Sequence, residues 1–398
     1  MSDLERALRA RQSEDLALSA ARWLETTLWE DPVDYSLYHG LAGSALCLLE
    51  IDRHLARDSY APRIARCGEL LTRAIGDLED ASLYLGLTGL AFALGELGWN
   101  TGADEALAKV RRLYDGTRWN EMFELMMGNA GVALGALSAG DVELAVQAVE
   151  PYVASADPTA HGVNWAVRPT PSRSHHLAHG TLGIVYALCA VGEAARRDDF
   201  IELSLRAAAD VVSRNVAGDE GFLVPHSDPP HRPDLIDRFS YGWCNGPSGD
   251  AQAFRLLHHV TGDSQWTLLA NRCWNTVRSS GLPSRLYPGF WDNNGRCCGT
   301  AGVLALACDR IAESGDDFTF ADLLVDDLRA RATVDESGAR WSNYEHRLSP
   351  PELTPRPGWA MGNAGIVREL LRYARLCRHT DSGYGVVWPD QAPTAPVG

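Results

Sequence analysis

The sequence predicts an all-α protein that forms a double-layered α/α toroid (barrel) of seven helix-pair repeats. Three observations predict it: a short Gly-x-x-Gly segment that occurs seven times, amphipathic segments between its occurrences, and apolar helical faces near both ends of the 398-residue chain. Self-similarity of this kind is typical of repeat architectures, in which each unit buries its apolar face against its neighbours.

The Gly-x-x-Gly segments recur at intervals of 42 to 66 residues, and each opens a run of small apolar residues. Their first glycines are Gly40, Gly86, Gly128, Gly180, Gly246, Gly299 and Gly362. Because runs such as GVALGAL are apolar on most faces, they predict buried helices. A glycine in the first turn of a helix costs about 1 kcal/mol relative to alanine, so we expect a geometric reason for it. Close backbone approach and unusual dihedral angles in the entering loop would both require glycine.

Amphipathic segments precede the Gly-x-x-Gly segments, with apolar residues at three- and four-residue spacing. They cover residues 15–29, 63–76, 103–113, 140–154, 199–216, 263–279 and 320–332. Since these segments carry the charged residues, each repeat is predicted as an outer helix followed by a buried one. An open solenoid is the alternative, but apolar faces at both chain ends favour a closed ring, because an open array needs polar caps.

Composition and charge exclude some classes of function. The formal net charge of −16 repels phosphate backbones, so nucleic acid is not expected as a partner. No uninterrupted apolar run of 18 residues occurs, so we expect no membrane span. The nine cysteines are an odd number, and most are dispersed through apolar stretches, unlike a secreted disulfide framework. We therefore expect a cytoplasmic protein whose thiols are free to bind a metal.

A single toroid domain is predicted over residues 1–388, with a disordered tail over 389–398. Long ordered loops on a rigid scaffold are the usual place for binding. The later repeats have such loops, rich in Pro, Trp, Tyr, His and Arg, at about residues 155–178, 217–243, 281–296 and 333–361.

The residues just before each first glycine are expected to share one rim of the toroid. Three of the nine cysteines fall there, namely Cys244, Cys297 and Cys298. Thiolates are preferred zinc ligands, and a catalytic zinc has three protein ligands and one open position. Buried, inert cysteine is the alternative, and spacing alone leaves both open.

A family resemblance adds to this pattern. The stretches YGWCNGPSG, RCCGTAG, LAHGTLG and GWAMGNAG resemble signature segments of the lanthionine synthetase C-like family, and the resemblance covers about residues 15 to 380. It implies an α/α toroid that binds zinc and adds a peptide cysteine thiol to dehydroalanine or dehydrobutyrine. The products are lanthionine or methyllanthionine thioether rings, so the resemblance implies a lanthionine synthetase.

The same resemblance assigns the site residues. Cys244 lies in the Trp-Cys-x-Gly segment, and Cys297 takes the first position of the Cys-His-Gly segment. Cys298 stands where many members have His, which indicates the three-cysteine zinc variant. His179, in the Ala-His-Gly position, would be the general acid that protonates the enolate carbon. Glu124 stands where family cyclases often have Asp, and it would either orient His179 or accept a thiol proton.

Other residues near these motifs have less specific interpretations. For His39 we favour a rim residue without a catalytic role, and for His175 and His176 loop positions. Ser240 and Asn245 depart from residues that are common in lantibiotic cyclases. Aromatic residues near the motifs would either line a peptide channel or pack in the core: Tyr241, Trp243, Trp341, Tyr344 and Trp359.

The predicted function is zinc-dependent cyclisation of a dehydrated precursor peptide, and a dehydratase is a possible second partner. One alternative is the addition of a small thiol such as glutathione to dehydroamino acids. Another is a non-catalytic scaffold that binds peptide or dehydratase. A glycosidase or sugar epimerase on a related α/α barrel would usually have six repeats and paired carboxylates, and neither is apparent in the sequence.

Overall fold

Fourteen α-helices make up most of the computed structural model, which describes residues 2–29, 34–380 and 383–393. The helices that open at a Gly-x-x-Gly segment are α2 (Leu41–Leu55), α4 (Leu87–Glu96), α6 (Asn129–Ser138), α8 (Thr181–Ala195), α10 (Pro247–Thr261), α12 (Thr300–Ser314) and α14 (Asn363–Cys377). The amphipathic helices are α1 (Asp3–Thr27), α3 (Ala61–Ala74), α5 (Asn100–Arg112), α7 (Val142–Ala154), α9 (Asp198–Val212), α11 (Ser264–Ser279) and α13 (Thr319–Arg331). The all-α prediction is confirmed.

The described residues divide into two compact units. The first unit comprises residues 2–71 and 281–387, and the second comprises residues 72–280 and 388–393. In the second unit, helices α4, α6, α8 and α10 pack side by side in chain order. In the first unit, α14 packs between α12 and α2 and also against α1. The first and last helices of the chain are therefore neighbours, which agrees with the predicted closure.

The pairing of helices differs from the predicted order. Each Gly-x-x-Gly helix in the second unit packs most closely against the helix that follows it, as α8 does against α9. The reason is the connection between them: α8 ends at Ala195 and α9 begins at Asp198, whereas a long loop separates α7 from α8. Short connections make consecutive helices antiparallel neighbours.

Close approach between a helix and the backbone of the loop before it explains why the Gly-x-x-Gly segment recurs in this chain. The first glycine caps its helix in extended backbone, with φ of −121° at Gly40 and −176° at Gly246, so the prediction of unusual dihedral angles is wrong. A Cβ atom on Gly249 would lie 1.9 Å from the carbonyl oxygen of Trp243. No side chain fits at that distance, so glycine lets the first turn of α10 rest on the incoming loop.

Within the described ranges, eight short strands lie in the long loops, in four antiparallel pairs. The pairs are β1 (Asp157–Pro158) with β2 (Val163–Asn164), β3 (Arg173–Ser174) with β4 (Ser227–Asp228), β5 (Thr333–Asp335) with β6 (Gly338–Arg340), and β7 (Asn343–Tyr344) with β8 (Glu352–Leu353). The β3–β4 pair joins two long loops of the second unit and sets Ser174 opposite Ser227. These loops are therefore held in fixed positions.

Helix α14 departs from the prediction that the buried helices are apolar. Arg372 and Glu369 on this helix are fully buried. The guanidinium of Arg372 lies 2.6 Å from the carboxylate of Asp309, and that of Arg375 lies 2.7 Å from Glu50. Buried charges are tolerated when they are paired, and these pairs lie within the first unit.

Residues 383–393, which lie beyond α14 in the chain, are mostly packed. In the first unit, the Tyr384 ring lies 3.6 Å from the Arg368 guanidinium, measured to the ring centroid. In the second unit, Trp388 packs on Tyr84, and Asp390 is only 1% exposed. The predicted disordered tail therefore differs from the structure over residues 389–393, because Trp388 anchors them, and residues 394–398 lie outside the described part of the chain.

None of the helices in the described ranges combines the length and the apolar composition that a bilayer crossing requires.

Candidate active site

Backbone hydrogen bonds join the residues that precede the Gly-x-x-Gly helices. In the second unit, the N–H of Tyr84 donates to the carbonyl of Met126 at 3.3 Å, and the N–H of Met126 donates to Ala178 at 3.3 Å. The N–H of Ala178 in turn donates to the carbonyl of Cys244 at 3.2 Å. The predicted common rim is therefore confirmed within this unit, and Cys244 belongs to it.

The first unit has the same arrangement. The N–H of Cys297 donates to the carbonyl of Ala360 at 2.8 Å, and the N–H of Ala360 donates to Tyr38 at 3.0 Å. Cys297 therefore occupies, in its own unit, the register that Cys244 occupies in the other.

The thiols of Cys297 and Cys298 are close together but not bonded to each other. Their Sγ atoms lie 3.3 Å apart, and both cysteines are free. A disulfide requires about 2.05 Å, whereas two sulfurs on one tetrahedral zinc with bonds of about 2.3 Å lie about 3.8 Å apart. The hydroxyl of Tyr38 also donates to Cys297 Sγ at 3.2 Å. This pair of thiols fits the donor set of a zinc ion.

Cys244 lies at the entrance to α10 and is 4% exposed. The side-chain amide of Asn245 donates to its Sγ atom at 3.6 Å. Such a donor stabilises negative charge on sulfur and therefore favours the thiolate. Asn245, one of the departures noted in the sequence, thus contacts the thiol next to it.

His179 and Glu124 form a side-chain pair at the rim of the second unit. Nδ1 of His179 lies 3.1 Å from Oε2 of Glu124. The carboxylate is fully buried and also accepts the backbone N–H groups of Met126 and Met127, at 3.2 and 2.7 Å. The imidazole remains 30% exposed. Glu124 is therefore held rigidly, and the longer side chain reaches the histidine.

The pair determines which nitrogen of His179 carries the proton toward Glu124. An ionised carboxylate only accepts hydrogen bonds, so the proton between the two residues belongs to Nδ1 of the imidazole. The second nitrogen, Nε2, then carries either a lone pair or, in the imidazolium form, a proton that it can give away. Chemically, the arrangement is that of a general acid or base with a fixed orientation.

Three further histidines cluster in the second unit. His176 is buried, and its Nδ1 lies 2.8 Å from Oδ2 of Asp250. Burial raises the pKa of the Asp250 carboxyl, and the nearby His176 only partly counteracts this rise. Burial also lowers the pKa of His175 and of His226 to about 3, so both rings stay neutral. His175 and His176 lie in the predicted loop, but both are core residues.

A cavity of about 250 Å³ opens beside His179 in the second unit. We call it the His179 cavity. Its lining includes His226 and is otherwise mostly polar, with contributions from Arg168, Ser174, Ser227, His231 and Asn245. Of the lining residues, His179 and Asn245 were noted in the sequence, and Arg168, Ser174, His226, Ser227 and His231 were not. The composition of the loops at residues 155–178 and 217–243 was the signal that pointed to them.

The aromatic residues whose role was open fall into two groups. Trp243, Trp341 and Trp359 are each at most 2% exposed, so they pack in the core. Tyr241 and Tyr344 are half-buried.

Two further positions belong to the surroundings of the rim. His39 is half-buried in the first unit, where burial lowers the pKa of its imidazole. The exposed Arg238 guanidinium lies 5.2 Å from the centroid of the Phe239 ring. Neither position adds a group to the His179 cavity in the described residues.

Comparison with known proteins identifies what the chain is similar to. The sequence model of the family described as "Lanthionine synthetase C-like protein" matches residues 31–232 and 231–323, well over half of the chain. No curated protein matches the sequence. Among solved structures, nisin cyclase is similar with a TM-score of 0.66 and 15% identity, over 92% of this chain and 97% of that one.

Two other structures are similar to a lesser degree. The Lin0763 protein from Listeria innocua has a TM-score of 0.53 and 12% identity, over 92% of this chain and 97% of that one. A mannosidase of glycoside hydrolase family 76 from Bacteroides thetaiotaomicron has a TM-score of 0.51 and 12% identity, over 92% of this chain and 98% of that one. At such identities likeness shows the fold alone. The match to nisin cyclase shows the predicted α/α toroid.

Proposed function

Because this chain belongs to the lanthionine synthetase C-like family, we propose that it is a zinc-dependent cyclase that forms thioether rings in a dehydrated precursor peptide. The reaction adds the thiol of a peptide cysteine to dehydroalanine or dehydrobutyrine. A dehydratase that prepares this peptide is a proposed partner.

The observation that carries this proposal is the pair of His179 and Glu124. A Michael-type addition needs a proton at the carbon next to the carbonyl after the sulfur has bonded to the other alkene carbon. His179 would make that transfer from Nε2, since Nδ1 faces a buried carboxylate 3.1 Å away. Positioned acids of this kind typically contribute about 10²–10⁴-fold to a rate.

We propose that Cys244, Cys297 and Cys298 hold a zinc ion; together they are the candidate ligand group of the described residues. Support comes from their thiol chemistry, from the equivalent rim register of Cys244 and Cys297, and from the spacing of Cys297 and Cys298. A zinc ion there would supply the positive charge that favours the thiolate of a substrate cysteine.

The charge of the donor set has a consequence for reactivity. Two thiolates and a neutral histidine would give Zn²⁺ a site of zero net charge, whereas three thiolates give −1. A substrate thiolate then brings the total charge to −2. The metal withdraws less electron density from the substrate sulfur in such a site, so this sulfur is more nucleophilic. The opposing effect is a weaker drive to deprotonate the thiol. Asn245 offsets part of the negative charge through its contact with Cys244.

The proposed reaction balances without a co-reactant. The thiol loses its proton, and its sulfur forms a C–S bond to the β-carbon of the dehydroamino acid. The electron pair of the C=C bond moves onto the α-carbon and its carbonyl, and His179 gives the α-carbon a proton from Nε2. The proton lost by the thiol replaces the one that His179 gave, so the product has the mass of the reactant.

A thiol count therefore tests the proposal where a mass measurement alone cannot. The purified protein is incubated with a peptide that contains one dehydroalanine and one cysteine, and free thiol is then labelled with a maleimide. Wild-type protein should abolish labelling, and His179→Asn should slow this loss at least about 100-fold while its zinc content stays unchanged. The exposed His161 supplies the matched control, His161→Asn, which should act as wild type.

Two other outcomes would point to the alternatives. If the protein accelerates addition of glutathione to a dehydrated peptide without cysteine, but not ring closure, the small-thiol function is favoured. Binding of the peptide without any thiol loss would favour the scaffold. Ring closure by His179→Asn at the wild-type rate would refute the acid role of His179.

A further inference from the structure

The His179 cavity has a positively charged side without a counter-charge. Arg168 lines it, and its Nε atom is buried without a hydrogen-bond partner in the described residues. No ion pair joins Arg168 to a carboxylate in the described part of the chain, and no carboxylate lines the cavity there. The chain has a net charge of −16, so carboxylates outnumber cationic groups. A half-buried guanidinium that pairs with none of the described carboxylates is therefore unexpected, because a partly buried charge without a partner costs free energy.

Three acidic residues of the second unit that contact or adjoin lining residues of the cavity or their neighbours in sequence are already engaged. Glu124 is paired with His179, and Asp250 with His176. Asp228, which follows the lining residue Ser227, lies 3.2 Å from Arg214. None of these carboxylates is left to neutralise Arg168.

The other lining groups add donors around the same space. Ser227 Oγ accepts the backbone N–H of His231 at 3.0 Å, so the hydroxyl proton of Ser227 remains to be donated. Ser174 is the register partner of Ser227 across the β3–β4 pair and lines the cavity beside it. Burial, followed by the charges of Arg168 and Arg232, lowers the pKa of His231, as expected in a positive surrounding.

The backbone that carries Arg168 is held in place at the residue before it. Val167 is fully buried, and its carbonyl accepts the N–H of Phe123 at 2.8 Å. Phe123 directly precedes Glu124, so the segment that carries Arg168 is tied to the segment that orients His179. A ligand at Arg168 would therefore be positioned relative to His179 with little loss of entropy.

We propose that the His179 cavity is a specificity subsite that binds a carboxylate of the substrate, with Arg168 as its principal ligand-binding residue. A guanidinium donates two parallel hydrogen bonds to a carboxylate, and the serine hydroxyls supply further donors. The volume of about 250 Å³ is several times the roughly 30 Å³ of one water, so it admits an amino-acid side chain.

The inference rests on the proposed function and deepens it. Because Arg168 and His179 line one small cavity, the carboxylate must be close in covalent structure to the reacting thiol or alkene. An Asp or Glu adjacent to the reacting residue of a peptide meets this condition. The carboxylate of a small mercaptocarboxylic acid also does, and the two sources are separated by experiment.

The experiment measures binding and turnover separately. Binding is measured by calorimetry with unreactive pentapeptides Ala-Ser-Cys-Glu-Ala and Ala-Ser-Cys-Gln-Ala, and turnover with dehydroalanine versions of both. Wild-type protein should prefer the Glu peptide about ten-fold, and Arg168→Gln should abolish that preference. A second pair of probes, N-acetylcysteine and its amide, tests the small-thiol source in the same way.

Arg173→Gln is the matched control, because Arg173 lies five residues away and is paired with Asp157 at 2.8 Å outside the cavity. It should keep the wild-type preference. Equal binding of the charged and neutral probes in both pairs, or a preference that survives in Arg168→Gln, would overturn the subsite even if rings form normally. An Arg168-dependent preference without turnover would support the subsite and count against the cyclase instead.

Discussion

Nδ1 of His179 lies 3.1 Å from a carboxylate oxygen of Glu124, and His179 is one of the residues that line the His179 cavity. The carboxylate is fully buried, so the bond is shielded from water. This relationship fixes both the orientation and the tautomer of the imidazole, which is what a proton-transferring residue requires.

Replacement of Glu124 by Gln should therefore impair catalysis more than folding. The amide keeps the shape of the side chain but can donate to Nδ1, which would place the imidazole proton on the wrong nitrogen. We expect the ring-closure rate to fall by about two to four orders of magnitude, as for carboxylates that orient a catalytic histidine elsewhere. The thiol count gives the rate, and circular dichroism gives the fold.

The Glu124→Asp variant distinguishes the contribution of the carboxylate charge from that of the side-chain length. It keeps the carboxylate but shortens the side chain, so it should retain more activity than Glu124→Gln and show a pH–rate profile with the wild-type shape. Equal losses in the two variants would mean that Glu124 acts only through packing.

Zinc content should depend on Cys244, Cys297 and Cys298, and it should not depend on Cys308. Cys297→Ala should lose most of the roughly one zinc per chain, and Cys298→His should retain it, since imidazole is also a zinc ligand. Cys308→Ala is the control: burial raises the pKa of the Cys308 thiol, which disfavours the thiolate form that a metal needs. Elemental analysis of the purified variants decides the matter, and full zinc retention by Cys297→Ala would refute the ligand assignment.

Stability should fall in mild acid because of the buried neutral histidines. Burial lowers the folded-state pKa of His175 to about 3 from its ordinary value of 6.5. Below that ordinary value the unfolded chain binds a proton that the folded chain does not, so the free energy of unfolding decreases as pH falls. The slope is about 1.4 kcal/mol per pH unit for each such histidine between about pH 6 and pH 4.

Urea titrations at several pH values measure this slope. His175→Leu should reduce it by about 1.4 kcal/mol per pH unit, while His161→Asn should leave it unchanged. If His175→Leu does not fold, His226→Leu provides the same comparison, since burial also lowers the pKa of His226 to about 3. Identical slopes for wild type and the folded variant would contradict the prediction.

Gly249→Ala should destabilise the second unit strongly. Its Cβ atom would lie 1.9 Å from the carbonyl oxygen of Trp243, and a backbone atom cannot move aside cheaply. We expect a loss of about 3 kcal/mol or more in the free energy of unfolding.

Gly95→Ala is the matched comparison in helix α4. No heavy atom lies within 4 Å of the Cβ position there, so the change should stabilise by about 0.5–1 kcal/mol. If the two substitutions change the free energy of unfolding equally in denaturant titration, the close approach to Trp243 is not the reason for glycine at position 249.

Repetition made much of the fold predictable. Seven equal signals, each a glycine pair before an apolar run, located the buried helices, and the first helical residue follows Gly40 and Gly299 as expected. The partner of each helix was not predictable in this way, because packing depends on the length of the connection rather than on the pattern. Nor did apolar periodicity foresee α14, whose buried arginines are neutralised by residues distant in sequence, such as Asp309.

The site was predictable only where it coincides with the repeat. His179 and Cys244 lie one and two residues before the first glycine of a Gly-x-x-Gly segment, so their position in the repeat identifies them as rim residues. Arg168 and Ser227 lie in loops of irregular length and line the same cavity. The β3–β4 pair connects these two loops, and such two-residue strands have no recognisable sequence pattern.

The main-chain links between rim positions have an evolutionary consequence. The bonds from Tyr84 to Met126 and from Ala178 to Cys244 use only peptide groups, which every residue except proline can supply as donors. The main-chain bonds that link these positions therefore do not depend on which side chain each position carries. A lineage can exchange a thiol, an imidazole or an amide at the rim and try new chemistry while inheriting the same frame.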